Sequence, residues 1–116
     1  MPKKPKELNQ ECEIGRQLVT EMLEAAKSSP IDSIELEWGH SDFMVMYFQG
    51  STGLGGVPFD RDQVAALLEF IECQTKWGRG SRGKLAAELV NWKGTIEVEQ
   101  YDSFGESCFR LYLRRG

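Results

Sequence analysis

The chain has 116 residues, of which 41% are hydrophobic, 28% charged and 10% aromatic, and its formal net charge is −4 at pH 7. This composition is typical of one globular domain that buries roughly two-thirds of its unfolded surface, so neither a metal nor a disulfide is needed to hold the core. The negative charge argues against a protein that coats nucleic acid through bulk positive charge.

The first half of the chain predicts a tail, a helix and two strands. Residues 1–7 are basic and carry two prolines, so we expect a flexible tail followed by a single domain over residues 8–116. Apolar residues spaced by three and four predict an amphipathic helix over residues 9–28. Alternation of apolar and polar residues predicts a half-buried strand over residues 33–38. Residues 43–48, which are apolar on both faces, predict a central strand.

A glycine-rich connection and a second helix come next. Residues 49–59 contain four glycines and predict a flexible loop. Asp60 is followed three residues later by Gln63, a spacing close to that of a capping box at the start of a helix. Apolar residues at helical spacing carry this helix to about Thr75 or Trp77.

The rest of the chain predicts a short helix and a hairpin. The short helix covers residues 81–91. Two alternating segments, residues 95–99 and 108–114, predict a β-hairpin whose exposed face places Glu99 opposite Arg110. The same register aligns Glu97 with Tyr112 and Thr95 with Arg114.

These elements predict an α+β fold in the order α-β-β-α-(α)-β-β. We expect a four-stranded, mainly antiparallel sheet with two main helices on one face. The strand over residues 43–48 then needs a second cover, which would be a loop, another layer or a partner. A homodimer is the simplest way to provide that cover.

The three cysteines, Cys12, Cys73 and Cys108, do not indicate a disulfide framework or a zinc site. Their number is odd, they are widely spaced, and the chain contains no CxxC motif. The longest apolar run, residues 43–48, is much shorter than the roughly 20 residues that span a membrane. The first lysines are not followed by the apolar core of a secretory signal. We therefore expect a cytoplasmic protein without metal, cofactor or membrane contact.

The glycine-rich segment lies between a strand and a helix, where backbone N–H groups can bind phosphate. It lacks the lysine and Ser/Thr of a P-loop, and its glycine spacing differs from that of dinucleotide-binding proteins. A mobile connection is therefore the plainer interpretation, and apolar residues in and near it are candidates for contact with a partner. The predicted protein-interaction residues are Trp38, Leu54, Val57, Phe59 and Trp77.

A basic segment, residues 76–84, holds four cations and one tryptophan. Arginine and lysine contact phosphates, and an aromatic ring can stack on a base. The plainer interpretation is a solvated loop. The predicted contacts for nucleic acid or for an acidic protein partner are Lys76, Arg79, Arg82, Lys84, Arg114 and Arg115.

Signals for catalysis are weak. His40, the only histidine, lies beside Ser41 and Asp42, but the side chains of three consecutive residues diverge and rarely form a triad. Carboxylates two residues apart, such as Glu35 and Glu37, belong to the solvated side of the predicted strand. We expect no catalytic residues.

The sequence favours a small non-enzymatic regulator, adaptor or inhibitor that binds a protein. The two-sided strand, the tryptophans and the charge asymmetry support this function, since residues 1–75 carry −7 and residues 76–116 carry +3. Two alternatives stay open. One is a nucleic-acid-binding module that uses residues 76–84, and the other is a small-molecule binder or enzyme with a pocket near residues 50–56.

Overall fold

A computed structural model describes residues 10–38, 42–103 and 106–116. Within them the chain forms two α-helices, seven strands and two 3₁₀-helices. The α-helices are α1 (Gln10–Lys27) and α2 (Arg61–Gln74). The strands are β1 (Ser33–Trp38), β2 (Phe43–Gln49), β3 (Thr52–Phe59), β4 (Thr75–Trp77), β5 (Arg82–Leu85), β6 (Gly94–Ser103) and β7 (Glu106–Arg115). The 3₁₀-helices are Arg79–Ser81 and Ala87–Val90. The predicted tail over residues 1–7 lies outside the described residues.

The seven strands form one antiparallel sheet in the order β3-β2-β1-β7-β6-β5-β4. The α+β class agrees with the sequence prediction, but the prediction of a four-stranded sheet is wrong. The four predicted strands are the contiguous centre of the sheet, β2-β1-β7-β6. The missed strands are β3 at one end and β5 and β4 at the other.

The three missed strands have sequences that hide a strand pattern. β3 falls on the predicted loop, because its glycines leave few side chains to alternate. β4 and β5 contain only three and four residues, which are too short to show a period. The prediction of a short helix over residues 81–91 is also wrong. It is replaced by β5 and the 3₁₀-helix Ala87–Val90.

Most of the other local predictions are confirmed, but α2 ends at Gln74, and the predicted continuation of this helix to Trp77 is replaced by β4. The first helix and the first two strands lie within one or two residues of the predicted bounds. Asp60 Oδ1 accepts a hydrogen bond from Gln63 N at 2.8 Å, and Gln63 Oε1 accepts one from Asp60 N at 3.0 Å, which completes the capping box. In the β6–β7 hairpin Glu99 lies opposite Arg110, as its alternation predicts.

The hydrophobic core lies between the two helices and one face of the sheet. Its fully buried members include Val19, Leu23, Ile34, Leu36, Val45, Leu67, Phe70, Phe109 and Leu111. The helices approach each other closely at Gly15, where a Cβ atom would lie 2.2 Å from the Ala66 carbonyl oxygen. Glycine is therefore required there for α1 and α2 to pack. Neither helix is long and apolar enough to cross a membrane.

The opposite face of the sheet, called here the open face, is the face away from α1 and α2. Its residues alternate with the core residues along each strand and include half-buried Met44, Met46 and Phe48 on β2. On the neighbouring strands the open face carries charged residues, such as Glu35 opposite Arg110. The predicted central strand thus lies second from the end of the sheet, with one apolar side buried and the other half-exposed.

Candidate functional site

The β3 edge, defined as Thr52–Phe59, is bonded to β2 on one side, and no other described strand pairs with it. Its exposed fraction is high for apolar residues, at 46% for Leu54 and 44% for Val57. Among the described residues the one other large hydrophobic residue of similar exposure is Ile14 on α1. Residues 49–59 contain no charged side chain. The β3 edge is therefore an uncharged strand with apolar residues facing solvent.

The side chains of the β3 edge take different positions. Leu54 lies in a bulge, because Gly53 pairs with Phe48 and Gly55 with Tyr47. Phe59 lies opposite Phe43 and is half-buried against the core. The glycines of this segment thus belong to a strand rather than to a loop at a helix N-terminus.

The two tryptophans of the predicted interaction set have packing roles. Trp38 is half-buried, and its ring meets Phe43 edge-to-face at 5.1 Å between ring centroids. The Trp77 ring lies 6.2 Å from that of Phe109, and its Nε1 donates a hydrogen bond to the Glu72 carbonyl at 3.2 Å. Of the predicted set, Leu54 and Val57 are the residues that the structure leaves about half-exposed.

A second surface, called here the basic depression, lies where β4, β5 and β6 meet. It is a hollow of about 370 Å³. It is lined by four basic residues that the sequence predicted as partner contacts and by two glutamates: Lys76, Arg79, Arg82, Lys84, Glu97 and Glu99. The structure therefore brings together the basic residues of segment 76–84, and it adds acidic residues from the neighbouring strand.

The carboxylate of Glu99 is the centre of a polar network in the basic depression. It accepts from Arg82 at 3.0 Å, from Arg110 at 3.4 Å and from the Tyr112 hydroxyl at 3.0 Å. The hydrogen bond to Tyr112 and the nearby carboxylate of Glu35 raise the pKa of Arg110. Arg110 is thus a permanent cation that balances the carboxylates beside it.

The other charged residues of the basic depression differ in whether they form an ion pair. Glu97 pairs with Arg114 at 3.1 Å. Lys76, Arg79 and Lys84 form no ion pair within the described ranges. The surface therefore presents three cations around a network whose carboxylates are already paired.

Arg115 lies away from the basic depression. Its guanidinium donates to the carbonyl oxygens of Ala26, Ser29 and Ile31 at 2.9, 3.0 and 2.9 Å. It also lies 5.2 Å from the centre of the Trp92 ring. These bonds join the end of β7 to the last turn of α1 and to the segment that follows it. The two consecutive arginines at the end of β7 thus occupy different environments.

The open face also holds two titratable groups, half-buried Tyr101 and buried Cys108, that the sequence did not predict to belong to a site. The Tyr101 hydroxyl donates to Glu37 at 2.9 Å, and burial together with this carboxylate raises the pKa of Tyr101. Burial likewise raises the pKa of the Cys108 thiol. Both groups stay protonated at neutral pH, so neither is an activated nucleophile. In the sequence, both residues lie among charged residues of the hairpin, and this position could have identified them as candidates.

The predictions about catalysis stay predictions. His40 and Ser41 lie outside the described residues, so the structure says nothing about a triad there. A second depression is lined by Lys27, Asn91, Trp92, Lys93, Arg115 and Gly116. Neither it nor the basic depression is lined by residues 50–56, where a pocket was one of the alternatives.

Comparison of the chain with protein-family models, with curated proteins and with solved structures gives no significant match. The β3 edge and the basic depression are therefore the observations from which a function has to be inferred.

Proposed function

We propose that this protein acts by binding protein, and that the β3 edge is its binding surface. A partner strand lies beside β3, and the backbone N–H and C=O groups of the two strands bond to each other. The observation that carries this proposal is an eight-residue edge strand without a single charged side chain. Edge strands of natural proteins are usually protected from such pairing by charges, prolines, β-bulges, a cover or by being very short. β3 has a bulge at Leu54 and a proline at residue 58, but it has no charge and no described cover.

The side chains of the β3 edge support the same proposal. Leu54 and Val57 are about half-exposed. A partner strand beside β3 would therefore remove apolar surface of these side chains from water, which favours association. Pro58 has no N–H to donate, so other residues of β3 supply the backbone N–H groups of the new bonds. The binding surface thus includes both exposed apolar residues.

The partner that we propose is a second copy of this chain. An uncharged strand can pair with its own copy about a two-fold axis without repulsion between like charges. The other end of the sheet does not offer an equivalent surface. β4 has three residues and leads into the 3₁₀-helix Arg79–Ser81. Association through one edge only closes at two subunits instead of growing into a filament.

Sedimentation equilibrium over a wide range of concentration tests this assembly. We expect a reversible monomer–dimer equilibrium. The double substitution Leu54→Lys with Val57→Lys places four cations across the two-fold axis. It should weaken association at least tenfold, which corresponds to about 1.4 kcal/mol. Circular dichroism of the variant should stay that of the wild type, because both side chains are at the surface.

Ile14→Lys is the matched control. Ile14 is as exposed as Leu54 but lies on α1. Its replacement should leave the dimer unchanged. A protein that is monomeric at every concentration, or an Ile14→Lys variant that loses association as strongly as the β3 variant, would refute the proposed interface.

Binding of nucleic acid at the basic depression is a second candidate function. It is favoured by the three cations that no described carboxylate pairs with, namely Lys76, Arg79 and Lys84. Glu97 and Glu99 in the same hollow oppose a polyanion, which is why protein binding is preferred. Moreover, the Trp77 ring, which also lines the hollow, is partly buried beside Phe109, and this reduces the ring area open to stacking on a base.

Fluorescence anisotropy with a single-stranded oligonucleotide distinguishes this second candidate. If it is correct, affinity falls steeply with salt, and replacing Arg79, Arg82 and Lys84 together with serine abolishes retention. Replacing Lys27, Arg61 and Lys93 with serine removes the same charge elsewhere and should leave part of the binding. Absence of salt-sensitive binding, or an equal loss in both triple variants, eliminates the nucleic-acid function.

A further inference from the structure

The close packing of α1 on α2 brings together side chains that are far apart in the sequence. Gly15, in the second turn of α1, lies against Ala66 and Phe70 in the middle of α2. Cys12 precedes Gly15 by one helical turn, and Cys73 follows Phe70 by about one turn. The helix crossing therefore sets two cysteines against each other at one end of the helix pair.

A carboxylate completes this group. Glu69 and Cys73 are four residues apart on α2 and thus share one face of the helix. The sulfurs of Cys12 and Cys73 and a carboxylate oxygen of Glu69 all lie within 4.8 Å of one another. Cys12 is buried, Glu69 is half-buried and Cys73 is exposed, so the group opens to solvent on one side.

The chemistry of these three side chains matches a tetrahedral zinc ion. Zinc bonds of about 2.3 Å to sulfur and 2.0–2.2 Å to carboxylate oxygen place two such ligands about 3.5 Å apart in a tetrahedron. The Cys73 thiol donates a hydrogen bond to Glu69 Oε1 at 3.4 Å, so these two atoms already lie at a similar separation. Magnesium and calcium prefer sites built wholly from oxygen ligands, so two sulfurs select a softer ion.

We infer that Cys12, Glu69 and Cys73 bind one Zn²⁺, with water as the fourth ligand on the exposed side. The two cysteines bind as thiolates, and each thiol proton passes to solvent as the zinc–sulfur bond forms. The ion joins the start of α1 to the end of α2. Because it binds the folded chain, it raises the melting temperature when zinc is present in excess. This site does not depend on the β3 edge and goes beyond the proposed protein-binding function.

The decisive experiment titrates Co²⁺ and Zn²⁺ into the full chain, freshly reduced and freed of metal with a chelator. Co²⁺ should give a sulfur-to-cobalt charge-transfer band and the visible bands of a tetrahedral ion, which Zn²⁺ then displaces. Native mass spectrometry should find one zinc ion per chain. In the wild type, zinc should slow alkylation of exposed Cys73 at least tenfold, as read by peptide mapping.

Three substitutions test the assignment of ligands, and two of them have a matched control. Cys73→Ser, at an exposed position, should weaken zinc binding at least tenfold, whereas Cys108→Ala should not weaken it. Glu69→Gln should weaken it less than loss of a thiolate, whereas Glu72→Gln, on a neighbouring exposed residue, should leave it unchanged. Cys12→Ser should weaken the cobalt charge-transfer band, because Cys73 is then the one thiolate left in the group, and it is scored only if circular dichroism shows a folded chain.

The zinc site is refuted if zinc binds Cys73→Ser as tightly as the wild type, or if zinc leaves the alkylation of Cys73 unchanged. It is also refuted if the reduced chain gives no tetrahedral cobalt spectrum. Formation of a Cys12–Cys73 disulfide in air that excess zinc fails to suppress would assign these residues to thiol oxidation and would overturn the metal site.

Discussion

Both ends of the sheet are built from glycine-rich segments, but the two ends are organised differently. At the β3 edge, a Cβ atom added to Gly53 would meet nothing closer than Phe48 Cε1 at 3.7 Å. At the other end, a Cβ atom on Gly83 would lie 2.6 Å from the Lys76 carbonyl oxygen. Glycine thus accompanies an open edge in one place and permits close packing of β5 on β4 in the other.

The two ends of the sheet also differ in charge. Residues 49–59 carry none, whereas residues 76–84 carry four cations. At the β4 end the strands are short and the chain turns away through a 3₁₀-helix. One end is therefore suited to pairing with another strand, and the other to contact with acidic groups.

The largest effect on stability is expected when one glycine at each end of the sheet is replaced by alanine. Gly83→Ala should lower the free energy of unfolding by about 1–3 kcal/mol, because the new methyl group overlaps the Lys76 carbonyl and must displace β4. Gly53→Ala, the matched substitution, should change it by less than about 0.5 kcal/mol. Urea unfolding of both variants measures the difference. Equal losses would mean that the two ends are packed alike.

A smaller effect is expected where the β3 edge meets α2. Asp60→Ala removes the side chain that accepts from Gln63 N, and it should cost about 1 kcal/mol of stability. Asp62→Ala, in the same first turn but without the cap bond, should cost less than half as much. If the Asp62 variant were the less stable of the two, the cap would not be what anchors this end of β3.

At the basic end, Arg82→Met should have a still smaller effect. The Arg82–Glu99 pair is largely exposed on the arginine side, so its loss should cost less than about 1 kcal/mol and should shrink in high salt. Lys84→Met, which removes a cation without an ion pair among the described residues, is the control. A larger or salt-independent loss for Arg82→Met would contradict a solvent-screened pair.

The centre of the sheet should show a modest dependence on alkaline pH. Burial and the bond to Glu37 raise the pKa of Tyr101, so the folded state holds this proton more tightly than the unfolded chain. The corresponding stability is fully present below the ordinary tyrosine pKa of about 10 and is lost as pH rises above it. Tyr101→Phe should therefore flatten the alkaline branch of the stability curve. An unchanged slope would show that Tyr101 does not contribute to it.

The sequence by itself determined the elements whose side chains repeat at a regular period. Apolar residues at helical spacing predicted α1, Asp60 and Gln63 predicted the start of α2, and alternation predicted the register of the β6–β7 hairpin. These features depend on residues close in the chain or joined by one turn, so their physical cause is visible in the order of the residues.

Only the tertiary structure decided the ends of the sheet and the surfaces built on them. β3, β4 and β5 exist because a neighbouring strand accepts their backbone bonds, and backbone bonding leaves no pattern in side chains that are mostly glycine or too few to repeat. For the same reason the sequence did not distinguish packed Gly83 from open Gly53. It also did not reveal that Cys12 and Cys73 meet, because their contact depends on the crossing of two helices rather than on any local spacing.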